Sequence, residues 1–256
     1  NTTSPFRVKH DNITIEQMTL LNAGGTTQGS DNAGVVIESG SGAVVRQVTI
    51  QDCTYGVLVG ATVGSTASPR IERSIIENCT FWGVDVRGAA LPTIVNCLVQ
   101  DCQSGMRAQQ YSGPSFINNT VVNCSARGIA AESSGSTLIQ NNVVCFCTTG
   151  IRVVGSASVL SNDAFGNSTA TNAGITGNYD GFTPGGSNLH VDPLFVNSEG
   201  KDFHLTDASP CKDAGQSTPG LNTDFEGNAR PQGAGYDIGF DEIAAATSGY
   251  TEALLN

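Results

Sequence analysis

The amino-acid sequence predicts an all-β fold: a three-sheet solenoid of about seven rungs, each built from three short parallel strands, with an irregular C-terminal capping segment. Three observations carry that prediction. One template recurs along the chain, each copy holds three short runs rich in Val and Ile separated by turn residues, and none contains ten residues at helical spacing.

The template is clearest in VRQVTIQDCTYGVLV (45–59), IERSIIENCTFWGVDV (71–86), IVNCLVQDCQSGMRA (94–108), FINNTVVNCSARGIAA (116–131) and IQNNVVCFCTTGIRV (139–153). Its cysteines fall at Cys53, Cys79, Cys102, Cys124 and Cys147, so the period is 22 to 26 residues. Weaker copies flank these, one with Ile15, Gln17, Leu20 and Ala23 before a longer loop and Gly34 to Ile37, the other with Leu160, Asn162, Phe165 and Ser168. Three short strands cannot bury an apolar face alone, so each copy must stack on its neighbours. At an interstrand distance of about 4.8 Å, seven rungs rise roughly 30 Å. Asn96, Asn118 and Asn141 share a position where a left-handed corner is expected, with amides stacked from rung to rung. Gly56, Gly83, Gly105, Gly128 and Gly150 are expected to mark a second corner.

From about residue 12 to 168 this pattern resembles the right-handed parallel β-helix of the pectate-lyase-like superfamily. That resemblance implies the fold; the superfamily includes lyases, hydrolases, epimerases, tailspikes, adhesins and binding modules, so it does not choose a function. The expected division is 1–168 for the rungs, 169–242 for a loop-rich closing segment and 243–256 for a tail or linker. NLHVDPLFVNSEGKDFHLTDASPCKDAG (188–215) and TDFEGNARPQGAGYDIGFDE (223–242) resemble the tail of large secreted bacterial β-helix surface proteins. The segment is expected to cover the open C-terminal edge of the sheets, with Arg230 and Asp237 structural. At the other end Phe6-Arg7-Val8 already reads as a strand, which implies either a piece of a longer solenoid or a cap from a neighbouring domain or protomer.

The chain carries 31 Gly, a formal charge of −11 and only 14% charged residues. Three of its twelve basic residues are lysines and none cluster along the sequence, which argues against nucleic acid and acidic membrane as partners. No apolar run approaches the roughly 20 residues of a membrane span. An extracellular or cell-surface location fits this composition. The repeat cysteines are expected to point inward as buried thiols, because parallel side chains on adjacent rungs hold their Cβ atoms too far apart for a disulfide.

Candidate chemistry lies on the strand after the repeated glycine. Its outward column reads Val36, Leu58, Asp85, Arg107, Ala130, Arg152 and the next reads Glu38, Gly60, Arg87, Gln109, Glu132, Val154, with Tyr111 just beyond. A rim of Tyr55, Trp82, Ser104, Arg127 and Thr149 borders it. Aromatic rings beside guanidinium groups suit an anionic sugar chain, so Tyr55, Trp82, Asp85, Arg87, Arg107, Gln109, Tyr111, Arg127, Glu132 and Arg152 are the candidate polysaccharide-binding residues. Two other readings stay open: a polysaccharide lyase acting on uronate-containing glycans, and a structural or adhesive module joining end to end. The lyase reading lacks a Lys or His on the face, leaving Arg107 or Tyr111 as the base. No cofactor is expected. Calcium has no clear ligand cluster, because Asp85 and Glu132 stand two rungs, about 10 Å, apart. A hydrolase would need two carboxylates about 5–9 Å apart, and no such pair is evident. His10, His190 and His204 fall outside the clear repeats and are read as structural.

Overall fold

In the computed structural model, which describes residues 5–22, 32–62, 64–168 and 177–244, the chain winds into three parallel sheets. The first has eight strands, running from Phe6–Val8 through Ala33–Ile37, Tyr55–Val59, Trp82–Val86, Ser104–Gln110, Arg127–Ser133 and Thr149–Val153 to Tyr179–Asp180. The second and third have seven each, Thr14–Glu16 to Ala157–Leu160 and Thr19–Leu21 to Asp163–Phe165. No helix occurs among the described residues.

Registration is residue for residue, and alternation along each strand sends one column inward. Val35, Val57, Val84, Met106, Ile129 and Ile151 form that column in the first sheet. Ile15, Val45, Ile71, Ile94, Phe116 and Ile139 form it in the second, and Leu20, Ile50, Ile76, Val99, Val121 and Val144 in the third. All are buried in one continuous core. Each such side chain contributes about 1.5–3 kcal/mol, and the β-branched majority suits a pleated interior.

Two corners per rung are left-handed. Gln17, Gln47, Arg73, Asn96, Asn118, Asn141 and Ser161 turn between the second and third sheets with φ from 49° to 56°. Asn22, Asp52, Asn78, Asp101, Asn123 and Phe146, each just before a cysteine in the clear copies, turn after the third sheet with φ from 53° to 58°. The expected Asn corner is thus present, and Asn141 Nδ2 donates to Asn118 Oδ1 at 3.2 Å.

The glycine column is corrected. Those glycines lie inside the strands of the first sheet, and none has a positive φ. They are small because the next rung is close: a Cβ on Gly128 would meet Val144 Cγ1 at 2.2 Å and the Gly150 carbonyl at 2.9 Å.

A longer polar ladder runs one residue after the Asn corner. Asn119, Asn142, Asn162 and Asn188 pass Nδ2–H to the next Oδ1 at 3.0, 2.9 and 3.1 Å, while each Oδ1 beyond the first also accepts a backbone N–H from the preceding rung. Every one is buried. A buried amide is tolerated only when its donors and acceptor are matched, which this repeat does.

All eight cysteines are buried thiols, the five repeat cysteines as expected. Burial pushes the Cys97 thiol up to about 12, which leaves it unreactive at neutral pH.

The C-terminal segment carries a short antiparallel sheet, Phe195–Asn197 with Asp202–Leu205, which fits the expected capping segment. Tyr179–Asp180 and Leu189 do extend the last rung by pairing with Ile151–Arg152 and Asp163. From there the chain also runs back along the flank. Phe203, Leu205, Ile238 and Phe240 pack on Leu98, Val122, Val143 and Cys145, the outward residues of the third sheet. Corner asparagines hold it: Asn96 Nδ2 donates to Thr223 O at 2.6 Å, Asn118 Nδ2 to Asp237 O at 2.9 Å and Asn141 Nδ2 to Gln216 O at 2.8 Å. The reason is apolar demand. The third sheet presents an outward hydrophobic stripe, and the segment removes it from water. Arg230 is buried, ion-paired with Glu242 at 3.2 Å and donating to the carbonyls of Asp237 and Asp241. Residues 169–176 and 245–256, within the expected closing segment and tail, lie outside the described residues.

Candidate functional site

The outward column of the first sheet runs Arg7, Val36, Leu58, Asp85, Arg107, Ala130, Arg152, Asp180. Strand alternation brings these residues into one column. Its polar centre is Asp85, whose side chain is fully buried. Arg107 donates from Nε to Oδ1 at 2.8 Å and from NH2 to Oδ2 at 3.0 Å. Arg87 Nε reaches Oδ2 at 2.7 Å, and Gln109 Nε2 lies 3.1 and 3.3 Å from the two oxygens. A buried carboxylate is stable only with such a complete set of donors.

Below the arginines lie the rings. The Arg107 guanidinium stands 4.7 Å over Trp82 and that of Arg87 5.2 Å over Tyr55, while Tyr55 also packs on Phe81 at 5.8 Å. The expectation of an open aromatic platform is therefore corrected: Tyr55 is 2% and Trp82 5% exposed. Tyr55 and Trp82 share one apolar outer cluster with Val36, Leu58 and Ala130, and the guanidinium groups stand over the rings.

A second group continues along the face. Arg152 NH1 donates to Asp180 Oδ2 at 2.5 Å and its Nε is 3.8 Å from Glu132 Oε1, which also accepts from Arg127 NH1 at 3.0 Å. Tyr111 projects at the border and is 76% exposed. Four arginines thus meet three carboxylates on one flat face of a chain whose overall charge is −11. Each of these three carboxylates is paired with guanidinium.

One constellation escaped the sequence reading. His204 Nδ1 lies 2.6 Å from Asp202 Oδ1 and its Nε2 2.8 Å from Glu226 Oε1, with Asp241 alongside. The Glu226 hydrogen bond, with that of Asp202, raises the imidazole to about 9 against its burial. Positions 202, 204, 226 and 241 share no sequence spacing, and the only local hint was the D-x-H pair at Asp202 and His204.

Stacked parallel strands, two left-handed corners per turn and an amide ladder define a parallel β-solenoid. A family model described as the right-handed β-helix region matches residues 8–191, and the chain belongs to that family. Among solved structures, pectate lyase Pel9A is similar at 13% identity and a TM-score of 0.49, with 82% of this chain and 73% of that chain covered. No curated protein matches the chain. Among the described residues no helix is long and apolar enough to cross a membrane.

Proposed function

We propose that the outer face of the first sheet binds an anionic polysaccharide outside the cell. The observation that carries this reading is the seating of Arg107 and Arg87 over Trp82 and Tyr55, with Asp85 between them. Ring and carboxylate fix each guanidinium plane, so little side-chain freedom remains to be lost on binding. The Asp85 fork uses two of the five N–H donors of Arg107, and the other three lie outside that fork. Arg127 and Arg152 extend the array along the direction of stacking at the rung spacing, which matches a long, regular acidic chain better than a compact ligand. Gln109 and Glu132 pair across adjacent strands beside it, and Tyr111 offers an exposed ring for a sugar face at the border.

Affinity electrophoresis through gels containing polygalacturonate, alginate or a glycosaminoglycan tests the proposal. Retardation by at least one of them, absent with neutral dextran and lost in Arg107→Ala and Arg152→Ala, is the expected result. Equal mobility in all gels would refute it. Ultraviolet absorbance of the same mixtures reads the lyase alternative: unsaturated sugar released by wild-type protein would make the face, or another site, catalytic.

A further inference from the structure

We propose that His204, Glu226 and Asp241 form a divalent metal site on the C-terminal segment, suited to Zn²⁺ and opening onto the cleft beside Arg73. Three stretches far apart in sequence are brought together by Phe240. Its ring packs on Phe225 at 5.2 Å and on the His204 ring at 5.3 Å, and Phe225 N donates to Phe240 O at 3.0 Å. Arg73 Nε then fixes the Phe225 carbonyl at 2.8 Å, which places Glu226 beside the solenoid corner. One donor atom from each of His204, Glu226 and Asp241 lies within 4.8 Å of the others.

The surroundings prepare these atoms for a cation. Asp202 Oδ1 at 2.6 Å is placed to accept a hydrogen bond from His204 Nδ1–H, which would leave Nε2 directed at Glu226, the carboxylate–histidine pairing that orients metal-binding imidazoles. Asp241 is buried, and Leu205 N donates to its Oδ2 at 2.8 Å, which fixes the carboxylate while Oδ1 stays outside that bond. Zinc bonds of about 2.0–2.2 Å put tetrahedral donors roughly 3.4 Å apart. The Nε2 to Glu226 distance of 2.8 Å must therefore open by about 0.6 Å, and Glu226 is exposed and able to move. The remaining position faces outward, because Glu226 also lines a cleft of about 270 Å³ with Gln47, Thr49 and Arg73.

The donor chemistry selects the ion. One imidazole with two carboxylates suits Zn²⁺, whereas Ca²⁺ and Mg²⁺ favour all-oxygen shells.

Isothermal titration of the untagged, chelator-stripped full chain with zinc chloride is the test. Saturation at a single equivalent is expected, with affinity falling about tenfold or more in His204→Ala, Glu226→Gln and Asp202→Asn. Glu226→Gln changes an exposed side chain, so an unaltered circular dichroism spectrum keeps its loss specific. No zinc uptake by the wild-type chain, or uptake unchanged in His204→Ala and so attributable to the buried thiols, would overturn the site.

Discussion

Trp82 illustrates how a single position resists a one-dimensional reading. Its strand places it beside the charged face, yet the ring is buried in an outer cluster with Tyr55, Leu58 and Ala130 and capped by Arg107. Trp82→Ala is therefore expected to destabilise the fold by about 3–5 kcal/mol, visible as a lower urea midpoint. An unchanged midpoint would return the ring to the solvent-exposed role. Asp85 is the complementary case, since removing it leaves Arg87 and Arg107 without their shared counter-charge. Asp85→Ala should cost about 3 kcal/mol, towards the low end for a buried pair because both guanidinium groups keep some contact with water. Denaturant titration that found it as stable as wild type would show that the fork adds nothing to the fold.

The elements depend on rung-to-rung matching more than on the chemistry of any one strand. Asn142 donates to the Phe116 and Gln140 carbonyls and to Asn162 Oδ1, and accepts from Asn119. Asn142→Ala leaves these buried groups unmatched and should lose about 2–4 kcal/mol in chemical denaturation. The same amide chain links adjacent copies, so faster hydrogen exchange should spread to the rungs of Asn119 and Asn162. The strand glycines make a paired prediction. Gly128→Ala forces a Cβ against Val144 and the Gly150 backbone and should cost about 1–3 kcal/mol, whereas Gly185, with open space around it, should accept alanine with no measurable change in melting temperature. Equal melting temperatures for both variants would contradict the close stacking.

At the scale of the whole molecule, the junction between the last rung and the C-terminal segment is expected to respond to pH. Asp163 is buried, accepts from Val191 N at 3.1 Å and from the Cys211 thiol at 3.4 Å, and burial lifts its carboxyl to about 6. The folded state thus keeps a proton that the unfolded chain sheds near pH 4, so this group's contribution is full below pH 4 and is lost as pH rises to about 6. The difference is on the order of 3 kcal/mol. Asp163→Asn should raise the melting temperature at pH 7.5 and leave it unchanged at pH 4. A gain of equal size at both pH values would assign the effect to packing instead. His204 acts at the alkaline side: its contribution is held below the ordinary histidine range and fades as pH passes about 9.

The sequence by itself determined the winding. Period, strand register, inward columns, buried thiols, the Asn corner and the composition of the outer face were legible because in-register stacking turns sequence offsets into spatial neighbours. Only the tertiary structure decided what depends on contacts outside that regular lattice. It buried Trp82 and Tyr55 under arginines, in a cluster with apolar residues of neighbouring rungs. It gave the repeated glycines a packing role in place of a corner role, because clearance is measured against the next rung and not along the chain. It folded the C-terminal segment onto the flank and gathered His204, Glu226 and Asp241 around Phe240, contacts between residues that no repeat relates. Periodic order is written locally; the aperiodic contacts exist only once the chain has closed on itself.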